Sequence, residues 1–437
     1  MIEINNGHTW LLNNQNPSGS YGDKDLTEFR DTTAVADILK KFSATGAAYS
    51  NAISFIERYS PPSTDFLARK TSVLAQDGTD VSLLIDQLLS SQNPDQIDST
   101  RYNYPEGGWG ATIGYSTNCL DTALVLDTLN QSPIPKGLLI INKTIAAGET
   151  QEFNFDYPVD TSDLSIFLSK ISGNVTFRLY PDPSSTYYSW GPLTSSTYLN
   201  AGGITITPGT RRVQIYGNAS STYSLKITLT SGGYNSAALI NPLAYILTAQ
   251  NSDGGWGLGK GSDSSIYMTA KVLMTLQAYA NTFDFSSVIS KGVVWLKSRQ
   301  NPDKGFGAEG SSVHETAMAY IAIATGNISA PEAQGALSYL LTAQQSDGSW
   351  NGKVYDTAIS LLALYTSMLE TDTDGDGVPD ILDNCPGVAN ADQKNADGDN
   401  LGDACDNDDD NDGLPDTYEI NSTGTNPLMA DSDNDGI

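Results

Sequence analysis

The chain has 437 residues, three cysteines and a formal net charge of −28, enough length for two or three domains. From Glu370 onward 18 Asp and 2 Glu face Lys394 alone, which places −19 of that charge in the last 68 residues and leaves −9 elsewhere. No Lys/Arg cluster suits a nucleic-acid phosphate backbone, and no run of about 20 apolar residues could span a bilayer.

One phrase organises the first 369 residues. It reads Gln250-Asn-Ser-Asp253-Gly254-Gly255-Trp256-Gly257, and recurs as Gln15-Asn-Pro-Ser-Gly19-Ser-Tyr21-Gly22, Gln300-Asn-Pro-Asp303-Lys-Gly305-Phe306-Gly307 and Gln344-Gln-Ser-Asp347-Gly348-Ser-Trp350. In these copies the aromatic follows its glutamine by six positions. A fifth copy, Gln92-Asn-Pro, breaks off at residues 95–106 and resumes at Gly107-Gly108-Trp109-Gly110. A supersecondary unit repeated five times predicts a repeat architecture.

Between the loops, apolar and small residues at three- and four-residue spacing predict twelve helices. They fall near residues 8–14, then at 31–41, 49–59, 65–75, 80–91, 118–130, 236–250, 265–280, 287–299, 314–325, 330–343 and 355–369. Helices ending in a glycine loop alternate with helices rich in Ala, Thr and Leu. Six outer and six inner helices closed in a ring would leave no apolar stripe uncapped. The glutamine amide is expected to bond the open carbonyls of its own helix end, with glycine taking the left-handed turn beyond. The aromatic would cover the junction with the next repeat, a scaffold role.

These loops resemble the glutamine-tryptophan repeats of the terpenoid cyclase and protein prenyltransferase superfamily. The resemblance implies an α6/α6 toroid over residues 1–134 and 232–369, a fold that serves enzymes, cobalamin carriers and thioester domains alike. Helical periodicity stops at Ser132-Pro-Ile-Pro135. Over residues 135–231 short alternating runs take over, at 138–141, 152–155, 164–168, 175–180, 204–206, 212–216 and 223–229. They predict an antiparallel β-sandwich inserted between the third inner and the fourth outer helix. The stretches Ala146-Ala-Gly-Glu-Thr-Gln-Glu-Phe and Tyr223-Ser-Leu-Lys-Ile-Thr resemble pre-peptidase C-terminal domains, small sandwiches attached to secreted exoenzymes.

The tail, residues 370–437, repeats a ligand spacing. Asp372, Asp374, Asp376, Gly377, Asp380 and Asp383 take positions 1, 3, 5, 6, 9 and 12 of a twelve-residue loop, the spacing by which carboxylates wrap Ca²⁺. The register recurs at Asn395, Asp397, Asp399, Asn400, Asp403 and Asp406, then at Asp408, Asp410, Asp412, Gly413, Asp416 and Glu419. It opens again at Asp431, Asp433 and Asp435, just before the last residue. Glycine at position 6 would permit the sharp bend, and Asn400 tolerates it better than most residues. Several Ca²⁺ ions are expected, with Mg²⁺ the weaker alternative because it demands a tighter octahedron. Cys385 and Cys405 read as a disulfide formed in an oxidising compartment. The stretch Asp383-Asn-Cys385-Pro386 to Cys405-Asp406 resembles thrombospondin type 3 repeats, where calcium replaces a hydrophobic core and a disulfide pins successive loops. Such a tail would be unfolded without metal.

The toroid enzymes' own residues are missing. The acid motif Asp-x-Asp-Asp occurs only at Asp406-Asn-Asp408-Asp409, in the tail, and the prenyltransferase zinc order is reversed at Cys119 and Asp121. Cys119 reads as a buried small residue. The near P-loop Gly254 to Lys260 continues with Gly261 rather than Ser or Thr and follows a helix, against the phosphate-loop pattern. Polar residues opening the inner helices remain: Asp31, Asp121, His314 with Glu315, and Tyr355 with Asp356. As caps they are structural. As a site they would make an acidic, tyrosine-lined mouth with His314 beside Glu315 as general base, unless His314 is a solvated surface residue.

The expectation is a secreted or cell-surface calcium-binding protein, its toroid a non-catalytic scaffold or ligand cup for an extracellular protein, glycan or small molecule, acting in adhesion. The alternatives are a glycan-processing enzyme, a terpenoid cyclase or prenyltransferase, and a carrier of a cofactor such as cobalamin. No leader sequence opens the chain and it stops in mid-motif, so a fragment of a longer protein is expected.

Overall fold

The computed structural model describes the chain except residues 1, 25–26, 43–45, 94–107, 112–116, 131, 203, 370–371, 377, 381–382, 400 and 433–437. It forms two compact units, residues 1–360 and 361–437. Among the described residues the predicted twelve helices are present. They are α1 (Ile2–Asn13), α2 (Glu28–Lys41), α3 (Ala47–Arg58), α4 (Thr64–Gln76), α5 (Ser82–Ser90), α6 (Cys119–Leu129), α7 (Ala237–Thr248), α8 (Ile266–Ala278), α9 (Ser286–Lys297), α10 (Val313–Asn327), α11 (Pro331–Ala343) and α12 (Val354–Met368). The first begins at Ile2, not near residue 8 as expected, because nothing in Ile2 to Gly7 breaks a helix. The even-numbered helices form the inner row, where α2 packs on α4, α4 on α6, α6 on α8 and α8 on α10. Side-chain caps start four of these inner helices: Ser63, Asn118, Ser265 and Ser312 each accept from the main-chain N–H three residues on, satisfying a donor that the first turn leaves open.

The repeat loops work differently from the sequence-based expectation. The glutamine amide does not reach its own helix end. It donates to the carbonyl four residues on and to a carbonyl in the first turn of the next outer helix. Gln15 thus bonds Gly19 and Ala48, Gln250 bonds Gly254 and Val288, and Gln300 bonds Lys304 and Glu332. Gln344 bonds Gly348 and Glu3, while Gln92 reaches Ala238 at 3.4 Å. The helix end is served by the tryptophans: the indoles of Trp109, Trp256 and Trp350 donate to Leu88, Ile246 and Leu340, in the last turns of α5, α7 and α11. A planar donor on a short stem can turn back over its own helix, whereas the flexible amide spans the gap to a neighbour.

All five repeat aromatics, Tyr21, Trp109, Trp256, Phe306 and Trp350, are fully buried, so their part is packing. Each main-chain N–H is taken by a threonine in the first turns of the following inner helix: Thr32, Thr122, Thr269, Thr316 and Thr357. Gly254 has φ +97°, and a Cβ there would lie 2.8 Å from the Lys291 carbonyl of α9; only glycine fits such a left-handed, crowded position. The Gln300 copy inverts this arrangement. Lys304 takes the left-handed conformation, φ +73°, and the facing α11 has Gly335, where a Cβ would meet that of Lys304 at 3.1 Å.

Between α6 and α7 the chain forms two antiparallel sheets. One orders β1 (Leu138–Ile145), β8 (Ser221–Ser231), β3 (Asp163–Ser172) and β6 (Thr197–Leu199), with β9 (Tyr234–Asn235) beside β8; the other orders β2 (Thr150–Tyr157), β7 (Gly209–Gly217), β4 (Val175–Tyr180) and β5 (Tyr188–Leu193). Alternate residues of both, among them Ile140, Phe155, Ile166, Phe177, Val213 and Ile227, share one apolar core, as period-two patterning requires. Residues 204–206, expected as a strand, are not one; Ile204 and Ile206 pack against that core from a loop. Strand β5 escaped prediction because Gly191 and Pro192 suit only an edge position.

In the second unit the tail is almost free of regular structure, with one turn of helix at Asp416–Tyr418 and a wider turn at Glu419–Thr423. Cys385 and Cys405 are disulfide-bonded, with Cα atoms 5.7 Å apart. Asn384 ties the loops on either side: its amide donates to the Gln393 and Lys394 carbonyls, its own carbonyl accepts from Gly402 N–H, and its side-chain oxygen accepts from Asn390. Hydrogen bonds and a disulfide do here what apolar burial does elsewhere.

Candidate functional site

The inner helices all begin at the same end of the ring, and each brings a polar side chain to one network. Arg30 of α2 lies 4.2 Å over the Tyr355 ring of α12 and is held by Asp31 at 2.8 Å. Within α4, Arg69 pairs with Asp65 one turn earlier. Tyr267 of α8 stands within electrostatic reach of Arg69. His314 of α10 sits edge-on between Tyr267 and Tyr355, with ring centroids 5.1 and 5.2 Å away. Asp121 of α6 feels both Asp65 and Arg69. The six helices therefore close on a girdle of charged and aromatic groups.

The electrostatics follow from burial. Desolvation lowers the His314 imidazole below its usual range; Asp356 partly offsets this, while Arg30 and Arg69 reinforce it. Burial raises the carboxyl of Asp121 against the bond from Asn118, with the nearby Asp65 adding to the rise. Burial also pushes the Tyr267 hydroxyl up to about 12. Burial works against the Arg69 charge too, but Asp65 and the facing Tyr355 and Tyr267 more than compensate.

The sequence-based candidates separate in this light. His314 is not a solvated surface residue: it is half-buried, and its Nε2 is buried without a hydrogen-bond partner. The carboxylate acting on it is that of Asp356 from the next inner helix, not its neighbour Glu315. Consecutive helical residues diverge, and Glu315 instead shares a cap with Ser312 and is itself raised by burial. Asp356 accepts from Asn351 at 2.9 Å. Asp121 caps α6 reciprocally with Asn118 while also facing the girdle. Asp31 is buried beside Arg30. Arg69, Asp65, Arg30 and Tyr267 were not read from the sequence, since a charged residue inside a helical stretch looks like a solvent face. Cys119 is fully buried and its thiol is pushed up to about 12 by burial, which disfavours a metal thiolate.

The second arrangement is in the tail. Asp372, Asp374 and Asp376 bring carboxylate oxygens within 4.8 Å of one another; so do Asp397, Asp399 and Asp406, and Asp408, Asp410 and Asp412. That spacing falls within one shell of oxygen ligands around a cation of Ca²⁺ size. Asp383 and Glu419, at position 12 of their loops, stand within electrostatic reach of Asp374 and of Asp410 with Asp412 respectively. Buried carboxylate oxygens without a hydrogen-bond partner occur on Asp374, Asp383, Asp408, Asp410 and Glu419, the last with both. Lone buried acceptors of this kind demand a counter-charge, so the donor set fits a hard cation.

Other predicted ligands have braces of their own. The position-9 carboxylates accept from the main-chain N–H at position 2 of their loops: Asp380 from Thr373, Asp403 from Ala396 and Asp416 from Asp409. Asn395 accepts from Gly398 N–H and donates to the Asp399 carbonyl. Asp433 and Asp435, which would complete the register of Asp431, lie outside the described residues, as do Gly377, Asn400 and residues 95–107 of the interrupted fifth copy. Gly413 at position 6 is left-handed as expected, φ +91°; position 4, not singled out in the sequence, is left-handed in all three loops, at Gly375, Gly398 and Asn411.

Comparison with known proteins agrees with both halves. Residues 224–361 match the squalene-hopene cyclase C-terminal domain, and residues 370–393 and 394–419 match the thrombospondin type 3 repeat. A probable squalene–hopene cyclase of Sinorhizobium fredii is 30% identical over 135 residues, 28% of this chain and 21% of that protein. The squalene–hopene cyclase of Bradyrhizobium diazoefficiens is 29% identical over 128 residues, 26% of this chain and 19% of that protein. The match thus spans about a fifth of the curated relatives' length. Among solved structures, the type II terpene cyclase MstE from Scytonema aligns over 83% of this chain and 96% of its own, at 13% identity and a TM-score of 0.46. The chain is therefore similar to squalene-hopene cyclases over residues 224–361 and carries thrombospondin type 3 repeats over residues 370–419.

Proposed function

We propose that this is an extracellular calcium-binding protein in which a closed α6/α6 toroid, interrupted by a β-sandwich, is a ligand cup and the thrombospondin type 3 tail is a calcium-organised stalk. The observation that carries it is Glu419: fully buried, with both carboxylate oxygens unpartnered, beside the Asp408–Asp410–Asp412 cluster. A charge in that position is uncompensated without a cation. The Cys385–Cys405 bond supports an oxidising compartment, and adhesion or ligand capture at the cell surface follows as the role of such a stalk. No described helix is long and apolar enough to cross a membrane.

Enzymatic activity in the ring is the second reading, favoured by the girdle around His314. Cyclisation of an isoprenoid, as the names of the relatives would suggest, is the weaker form of it, because the chain's Asp-x-Asp-Asp lies in the tail. Calcium titration of the whole chain, followed by calorimetry and circular dichroism, tests the main reading. Several bound ions and a spectral change reversed by chelation are expected. Absence of heat and of spectral change would overturn it.

A further inference from the structure

We propose that the girdle closing the inner ring binds a polyhydroxylated ligand, an oligosaccharide, and not an isoprenoid hydrocarbon. This rests on the ligand-cup reading of the ring and names the chemistry of its contents.

The first ground is the kind of groups that meet there. The arginines do not stand as free charges: Arg30 is matched by Asp31 and Arg69 by Asp65. Paired guanidinium and carboxylate groups offer fixed donors and acceptors without a large local field, which suits a neutral ligand covered in hydroxyls. Tyr267 and Tyr355 stand on either side of His314; Arg30 covers the Tyr355 ring, and the Tyr355 hydroxyl is the group that a sugar hydroxyl can pair with.

The second ground is His314. Its Nε2 is buried and without a partner, and its neutral form is favoured by burial. A neutral imidazole nitrogen can accept from or donate to a hydroxyl, so a sugar hydroxyl completes it, whereas a hydrocarbon leaves it orphaned.

The third ground is cost. Side chains of Arg30, Asp65 and Arg69 keep 39%, 26% and 16% of their exposure, so the girdle is still solvated. Covering it with an apolar chain would desolvate each of these groups without replacing the lost hydrogen bonds. Nor does stability alone explain the girdle, since partly exposed ion pairs contribute little.

The experiment is native mass spectrometry and calorimetry on the whole calcium-loaded chain, with neutral hexasaccharides of glucose, xylose and mannose and with geranylgeraniol as probes. Two variants accompany it, Tyr355→Phe and Arg69→Lys, both checked for an unchanged unfolding midpoint. The expected result is saturable binding of at least one hexasaccharide, weakened about tenfold or more in both variants, the weight of a lost ligand hydrogen bond. Binding of geranylgeraniol alone overturns the proposal. So does binding of neither probe, or hexasaccharide binding that both variants retain in full. The same samples are titrated with calcium: a preserved calcium response without saccharide binding rejects the girdle inference alone, while a missing calcium response rejects the broader reading.

Discussion

The side-chain amide of Gln344 donates to the main-chain carbonyl of Glu3 at 2.7 Å, tying the last glycine loop to the first helix across 341 residues of chain. Gln250 makes the equivalent clip between neighbours in sequence, to Val288. Either Gln→Ala change removes two hydrogen bonds and should cost about 2 kcal/mol. Their local effects should differ. Gln344→Ala should raise amide exchange throughout α1, which the clip holds to the far end of the chain, and Gln250→Ala should leave α1 protected. Equal exchange of α1 in both variants would refute ring closure by this bond.

The threonine beneath each buried aromatic is the second test. Thr269 accepts the Trp256 N–H at 2.9 Å in a fully buried setting. Thr269→Val preserves the volume and removes the acceptor, leaving that N–H unsatisfied. A loss of about 1–3 kcal/mol is expected, read as a lower denaturant midpoint with unchanged slope. No shift would mean that the threonine only fills space.

Much of this was legible in the sequence, and the boundary of legibility is physical. Helix periodicity and ligand spacing are local, so the twelve helices and the three aspartate triads could be read from neighbouring residues. The partners of side chains are not local. Gln15 and Ala48 are 33 positions apart and Gln92 and Ala238 146, whereas the open carbonyls nearest in sequence are those of each glutamine's own helix end. Arg69 stayed invisible because its meaning depends on Tyr267 and Tyr355, nearly 200 and 300 residues on. The alternation in residues 204–206 was real, but a strand also needs a partner ladder, and these residues pack on the core without forming one.

His314 gives a pH prediction with a definite sign. Its imidazole should titrate below 6.5 by NMR, because burial opposes the charged form. Asp356→Asn removes the attraction that supports protonation and should lower the value further. Arg69→Met removes a repulsion and should raise it. Because the folded value is depressed, the contribution of His314 to stability is present above pH 6.5 and is lost as pH falls through that value, where the unfolded chain takes up the proton. A titration at or above 6.5 would place His314 in solvent. His8, also lowered by burial, is removed from the spectrum with His8→Gln.

In the tail, Glu419 and Asp416 should behave differently although both are predicted ligands. Glu419 has two unpartnered oxygens, while Asp416 accepts from Asp409 N–H at 2.9 Å. Glu419→Gln should weaken calcium binding at the third loop by more than about tenfold, since it removes a charge from the shell. Asp416→Asn should mainly loosen the loop, with a smaller change in affinity. Calorimetry separates them, and equal losses would show Asp416 to be a direct ligand too.

The exchange between Lys304 and Gly335 makes a double-mutant test. In other copies the loop supplies the glycine, as Gly254 does against Lys291; in the Gln300 copy the loop has Lys304 at φ +73° and α11 supplies Gly335. Gly335→Ala alone should not deliver the usual helix gain of about 1 kcal/mol. Its new Cβ would lie 3.0 Å from the Gln300 Nε2 and 3.1 Å from the Lys304 Cβ, and the amide is held by two hydrogen bonds. Lys304→Gly alone should stabilise the loop by about 1 kcal/mol, the cost of a side chain in the left-handed region. Joined to Lys304→Gly, the alanine at 335 loses its closest backbone-fixed neighbour, and its helix propensity should then emerge. Chemical denaturation of the four forms should show a coupling of about 1 kcal/mol. Strict additivity would mean that the two positions do not compensate one another.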